Sequence, residues 1–403
     1  MTRHAVRAKG DDAGAATRSR ALLTTLILLI AGCSFPDATA QTEAPAVSRK
    51  AEAALEELQG KVLSTGPHGE EPAPASVAEL TPEEVEEVKA LDATAAIVMH
   101  FGGNDWANAQ VAGLRSEFDR LGIEVLAVTD ANFEPDRQVS DIQTVQARDP
   151  DIIVSIPTDP VATSSTYQQA ADDGVTLVFM DNVPAGMEAG TDYVSVVSAD
   201  NYGNGVTSAH LMAKALGGQG QVGVIFHEAD FFVTRQRYEG FKATILEEYP
   251  DIEIVEERGI AGPDFAGDAQ NVASAMLSKH ADLAGIWAVW DVPAEGVIAA
   301  ARAVGRLDLK ISTVDLGTVV GIALARDELV VGLGAQVPFD QGVTEARLAA
   351  GALIGKEAPP YVALPPLPVE HENVLDAWEK VYHQPPPDLL SDIVAESDGG
   401  QEG

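Results

Sequence analysis

Polar and aromatic residues recur immediately after short apolar runs in this chain, and their types suit recognition of a hydroxyl-rich ring. Asn104-Asp105-Trp106 follow one run, Asp130 and Asn132 a second, Pro157-Thr158-Asp159 a third, and Asp181-Asn182 a fourth. In the second half come Phe231 and Phe232 with Arg235, then Phe265, Trp290-Asp291, Asp315 and Gln336. Flat apolar rings stack on the C–H faces of a pyranose or furanose, while carboxylates, amides and a guanidinium fork share out the donors and acceptors of its hydroxyls. The inventory fits a neutral polyhydroxylated ligand.

The elements that must position these residues repeat along the chain. Apolar, β-branched runs begin near Ala95, Ile123, Asp151, Val175, Tyr193, Gln221, Ile252, Leu283, Leu309 and Val330, most of them followed by an amphipathic stretch and a Gly or Pro stop. Near-continuous apolar strands alternating with helices predict parallel sheets covered on both faces. That is too many strands for one sheet, so the expected class is α/β with two doubly wound lobes. In such sheets ligands bind beyond the carboxyl ends of the strands, where the residues above fall.

Several positions have a second reading. Trp287 lies within its strand and is expected in the core, whereas Trp290 sits at the strand exit and is expected in a pocket. Asp130 suits a helix cap and a ligand contact equally, and Asp159, before Pro160, suits a cap. Arg237 suits a surface ion pair with Glu239 or a neighbour equally well, so Arg235 is the preferred guanidinium for the ligand. Gly218-Gln219-Gly220-Gln221-Val222-Gly223 spells a dinucleotide fingerprint, but it precedes a strand where the mechanism needs it to follow one. His100 and His227 end strands and, with Asp105 and Asp230, could be imagined as a metal or acid–base group. The chain shows no close metal-ligand spacing, P-loop or nucleophile elbow, so they are read as hydrogen-bonding walls and neither an enzyme nor a cofactor or metal is expected.

The net charge of -36 excludes a nucleic-acid partner, since a phosphate backbone needs a Lys/Arg footprint. With 403 residues, 46% of them hydrophobic, there is material for two cores. The one cysteine, Cys33, ends the apolar run 21–30 through Ala31-Gly32, after Arg3, Arg7, Lys9, Arg18 and Arg20. This reads as a lipoprotein signal over 1–33, lipidated at Cys33 and placing the mature chain outside the cytoplasmic membrane. The alternative is an ordinary secretory signal. Residues 34–93 are read as a tether and helical extension, in which Thr81-Pro82-Glu83-Glu84 spells a capping box. Gln384-Pro-Pro-Pro and the Gly-rich end make 384–403 a disordered tail.

From about Thr94 to Val369 the chain resembles the periplasmic sugar-binding proteins of ABC importers, on the ribose-type branch of the type I periplasmic-binding fold. The shared landmarks are Asn104, Pro157-Thr158-Asp159, Asp181, Ser198-Ala199-Asp200-Asn201, Arg235-Gln236-Arg237-Tyr238-Glu239-Gly240-Phe241, Trp290-Asp291, Val314-Asp315 and Gln336. The resemblance implies a lobe of 94–198 plus 337–363, a second of 199–336 plus 364–383, and a three-segment hinge between them. It implies closure of a monomer on one sugar or polyol and delivery to an ABC permease. Asn104 would bond a ring hydroxyl, Trp106 would stand for a stacking phenylalanine, and Asp181 and Asp315 would accept hydroxyls. Arg235 would donate in a fork, Phe265 or Trp290 would wall the pocket, and Gln336 would reach the ligand from a hinge crossing.

The departures from that pattern are Asn182 in place of an arginine, Trp290 in place of an asparagine and Asp105 in place of a proline. They suit a larger sugar, a polyol or an amino-bearing cyclitol better than ribose. Asp105, Asp130, Asn182, Phe232 and Asp291 complete the expected contacts. A sensory subunit binding a sugar, a cyclitol or autoinducer-2, and feeding a chemoreceptor or histidine kinase, is the alternative.

Overall fold

The computed structural model describes residues 40–229 and 231–399. The signal segment and Cys33 lie outside the described residues. Among the described residues are twelve strands: β1 (Thr94–Met99), β2 (Glu124–Asp130), β3 (Ile152–Ser155), β4 (Thr176–Met180), β5 (Ser195–Ala199), β6 (Gly220–His227), β7 (Ile252–Ile260), β8 (Leu283–Ala288), β9 (Lys310–Val314), β10 (Val330–Ala335), β11 (Tyr361–Leu364) and β12 (Leu367–Val369). The α-helices are α1 (Ala40–Leu58), α2 (Pro82–Lys89), α3 (Asp105–Arg120), α4 (Pro135–Gln146), α5 (Ser164–Asp172), α6 (Asn201–Leu216), α7 (Phe232–Glu248), α8 (Phe265–Lys279), α9 (Asp291–Ala303), α10 (Thr318–Ala325), α11 (Pro338–Leu353), α12 (Val374–Tyr382) and α13 (Asp388–Gly399).

The strands form two six-stranded sheets ordered β11-β5-β4-β3-β1-β2 and β12-β10-β9-β8-β6-β7. All pairs are parallel except β10 with β12. The inner strands β3 and β5 are buried at every position, the consequence of apolar runs covered by helices on both faces, while the edge strand β2 is half open. The same order in both sheets makes the lobes two copies of one doubly wound unit. Three segments connect them: β5 to α6 through Asp200, β10 to α11 through Gln336-Val337, and β11 to β12 through Pro365-Pro366. Trp287 is fully buried, stacked on Phe241 at 4.8 Å, with Nε1 donating to Ser208 Oγ.

The extension before β1 packs on both lobes. Lys50 of α1 pairs with Glu248, Glu52 pairs with Lys214, and the Val47 side chain lies over Gly218. The chain then crosses the first connection, where the buried Asp200 carboxylate accepts from the Leu63 amide (2.6 Å), the Ser64 amide (2.9 Å) and the Ser64 hydroxyl (2.7 Å) while capping α6 through Gly203 N. Ala73 next pairs with β11 through Tyr361 O and Ala363 N. Thr81 and Glu84 form the reciprocal capping box of α2. The extension is thus a strap along the hinge side rather than a spacer.

Two expectations about the ends are corrected. Residues 40–46, read as tether, belong to α1, which runs through Pro45. The tail expected to be disordered contains α13, because Leu390, Ile393 and Val394 form an i, i+3, i+4 stripe that docks into the core, with Leu390 1% exposed. The proline run before it set the composition and hid that stripe.

Asp200→Ala leaves the Leu63 and Ser64 amides without acceptors and uncaps α6. Denaturant titration should show about 3 kcal/mol less stability, and a loss below about 1 kcal/mol would show that the strap is not anchored there.

Candidate functional site

A cavity of about 720 Å³, including the space at its mouth, lies between the carboxyl ends of the two sheets and is lined by both lobes. The inner end is set by a repeat in the fold. Asp181 directly follows β4 of the first lobe and Asp315 directly follows β9 of the second, and both adopt left-handed backbone angles, φ 57° and 71°. Asp tolerates that region better than most residues, and the turn aims each side chain back over its sheet's edge.

Arg237, on α7, joins the two carboxylates. Its Nη1 donates to Asp315 Oδ2 (3.1 Å) and its Nε to Asn201 Oδ1 (2.7 Å); Asn201 Nδ2 donates to Ser198 Oγ (3.0 Å), whose hydroxyl donates to Asp181 Oδ1 (2.7 Å). Gln336 Nε2 completes the set by donating to Asp315 Oδ1 (2.7 Å). Arg237 can stand over Asn201 because α6 and α7 touch backbone to backbone. A Cβ on Gly205 would come within 2.1 Å of Arg237 O, and one on Gly240 within 2.3 Å of Tyr202 O. Burial is the main cause that lifts the Asp181 carboxyl to about 6, with Ser198, Arg237 and Gln341 opposing it and Asp315 adding to it.

The outer walls are aromatic. His100 follows β1 and His227 ends β6, again equivalent positions, and both rings pack near Phe231 at 5.9 Å. Burial holds His100 down at about 3, helped by His227, and His227 at about 4, helped by Arg237, so both imidazoles are neutral. Phe101, Phe133, Phe265 and Trp290 continue the wall.

Of the expected contacts, Asn104, Trp106, Asp181, Phe265, Trp290, Asp315 and Gln336 line this cavity. Six others are off its lining. Asp105 points at the opposite lobe, its Oδ2 accepting from Thr318 N and Oγ1, both at 2.7 Å, so it caps α10 across the cleft. Asp130 accepts from Asn132 N (2.8 Å) in the turn that follows β2, neither capping α4 nor lining the cavity. Asn182 is 1% exposed beneath Asp181, and Asp291 is buried at the start of α9, accepting from Val292 N. Phe232 and Arg235 lie together outside, the guanidinium 5.9 Å from the ring centre. Helical rotation explains the last correction: two residues along α7 turn the side chain by about 200°, so Arg237 faces inward and is 5% exposed where Arg235 is exposed. Among the lining residues, sequence reading set Arg237 behind Arg235 and passed over Phe101 and Phe133, as it did the smaller Ile156, Val233, Thr234, Pro263 and Val292. Their signal was position after a strand or on the inner face of α7.

Two like α/β lobes, connected by three segments around one cleft with carboxylates, a guanidinium and aromatic rings inside, define a two-lobed binding protein for a small solute. The chain belongs to the periplasmic binding protein domain family, whose model matches residues 95–357. It is 24% identical over 265 residues to the ribose import binding protein of Salmonella typhimurium, an overlap covering 66% of this chain and 86% of that one. It is 27% identical over 182 residues to a putative rhizopine-binding protein of Rhizobium meliloti, covering 45% and 58%. The structure of an ABC sugar transporter subunit from Rhodobacter sphaeroides superposes with a TM-score of 0.62 at 29% identity, covering 70% of this chain and 99% of that one.

A ligand hydroxyl donating to Asp181 favours its ionised form, so ligand lowers that carboxyl's pKa and binding releases a proton in the window just below pH 6. Affinity measured calorimetrically should rise with pH up to about pH 6 and stay level above it. Asp181→Asn should remove the slope; a slope that survives would assign it to another group.

Proposed function

We propose that this chain is the extracytoplasmic solute-binding component of an ABC importer, closing its two lobes on a neutral monosaccharide, polyol or cyclitol and presenting it to a membrane permease. The observation that carries the reading is the inner end of the cavity, where Asp181, Arg237, Asp315, Gln336 and Asn104 gather from both lobes and their connections. Asp315 neutralises Arg237 and the two histidines are uncharged, so no cation is left there to hold an anionic solute. The rings beside them suit the C–H faces of a sugar. The relatives named for ribose import and sugar transport support the same class.

Closure supplies the mechanism. Asp105 with Thr318, His100 with Phe231, and Phe133 with Phe265 meet across the cleft, and a ligand seated among them touches both lobes at once. A solute that binds the closed arrangement better shifts the population toward it by that difference. A micromolar complex needs about -8 kcal/mol in total. Lipidation at Cys33 would hold the protein at the outer face of the membrane, with the strap between anchor and lobes.

Calorimetry on point variants tests the pocket. Arg237→Ala should weaken ligand binding at least about 30-fold, since a hydrogen bond to a charged group is worth about 2 kcal/mol, while Arg235→Ala should stay within about threefold. Equal losses, or full affinity in Arg237→Ala with its fold intact by circular dichroism, would discard the assignment. For the anchor, Cys33→Ser should move the protein from the membrane fraction to the soluble one; continued membrane retention would show that Cys33 is not the attachment point.

A further inference from the structure

Behind Asp181 lies a second buried acid that does not line the cavity. Glu345, on α11, is 0% exposed; Gln110 of α3 is equally buried against it, and Gln341 of α11 lies one turn before it. The two helices meet backbone to backbone: a Cβ on Gly113 would come within 2.1 Å of Phe339 O, and one on Gly342 within 2.4 Å of Gln110 O. Gln110 Nε2 donates to both Glu345 oxygens at 2.7 Å. Gln341 Nε2 is committed elsewhere, to Val197 O (3.2 Å) and, near the limit of a hydrogen bond, to Asp181 Oδ1 (3.4 Å). The Gln341 amide is also a hydrogen-bonding neighbour of the Glu345 carboxyl, and its buried Oε1 accepts from no other group among the described residues.

Among the described residues no cation faces Glu345. Arg347 of α11 and Arg120 of α3 are taken up by Glu117, Asp340 at the start of α11 pairs with His383 after α12, and Lys356 past the end of α11 pairs with Glu84 of α2. The strands β3, β4 and β5 and the turn 75–78, which also pack on α11, carry no charge, and Asp181 after β4 brings a negative one. Burial, with Asp181 adding to it, pushes the Glu345 carboxyl well above the ordinary carboxylate range. It is therefore a carboxylic acid at neutral pH, with one O–H to place beside an acceptor, Gln341 Oε1, that needs a donor.

The two ends of an amide differ little in shape, so its partners decide which end points where. A donor on Glu345 holds Oε1 toward itself and leaves Nε2 toward Asp181. An ionised Glu345 would attract Nε2 instead and turn Oε1 against the Asp181 carboxylate, which would lose a donor and meet a repulsive oxygen.

Resting on the binding function proposed above, we propose that Glu345 is a positioning residue for the ligand site: as a neutral acid it donates to Gln341 Oε1 and thereby keeps Gln341 Nε2 turned to Asp181.

Carboxyl 13C NMR on the protein without any solute tests this. With glutamate labelled at its side-chain carboxyl, the resonance missing from Glu345→Gln should lie at the protonated position at neutral pH. With aspartate labelled likewise, the resonance missing from Asp181→Asn should titrate with a midpoint of about 6. Glu345→Gln, whose amide still donates to Gln341, should leave that midpoint in place to within about 0.3 pH units. Glu345→Leu and Gln341→Leu, which remove the donor and the relay, should each raise it by at least about half a pH unit, because the ionised form loses a hydrogen bond. A residue that only packs would alter unfolding in denaturant and leave the Asp181 titration where it was. The inference is overturned if the Glu345 carboxyl is ionised at neutral pH, if the Asp181 midpoint is unmoved in the Leu variants, or if Glu345→Gln moves it as far as Glu345→Leu does. Should neither Leu variant fold, the Glu345 resonance of the unaltered protein decides. Since no solute is present, none of these results touches the solute-binding reading, which stands or falls by the calorimetry on Arg237→Ala.

Discussion

One hydrogen-bonded chain governs the layout of the molecule: Asp315 to Arg237, Arg237 to Asn201, Asn201 to Ser198, and Ser198 to Asp181. A guanidinium this deeply buried is tolerable only when its charge and its donors are matched, and the match comes from the second lobe and from the first connection between lobes. The second connection joins through Gln336. Both site carboxylates are thereby held by the segments about which the lobes must move. The polar inner end of the cavity and the hinge are one hydrogen-bonded structure.

The rest of the architecture follows from duplication. Each lobe contributes a histidine at the end of its first strand and an aspartate after its fourth, and the cleft brings the two sets face to face. On the hinge side, the strap ties the second lobe to the first through Asp200, Ser64 and the pairing of Ala73 with β11. Its bonds fall on the hinge side and not across the cleft.

Strand runs and strand-end residues were legible because parallel strands buried on both faces are almost continuously apolar and because ligands gather where they end. Asp181, Asp315, Trp106 and Trp290 could be found this way. β11 and β12 could not, being four and three residues long and separated by two prolines, too short for a pattern. Nor could the roles of Arg235 and Arg237 be told apart, since both lie on one helix and only its rotation, set by the glycine contacts with α6, decides which faces inward. Asp105 was legible as a carboxylate near the cleft but not as a partner of α10, because Thr318 lies in the other lobe and sequence separation conceals the encounter. The side of the lobes that the extension covers rests on the same kind of distant contact.

Asp105 also shows how the closing equilibrium is divided. Its carboxylate bonds the first amide and hydroxyl of α10, an interaction that contains no ligand and exists only when the lobes meet. Asp291 and Glu295 lie near enough for their carboxyls to be pushed upward, mainly by burial and partly by their acidic neighbours, Asp105 among them, so closure also crowds like charges. Asp105 thus carries an attraction and a repulsion across the same cleft. A solute that touches both lobes shifts the population toward the closed form by the difference between its affinities for the two forms.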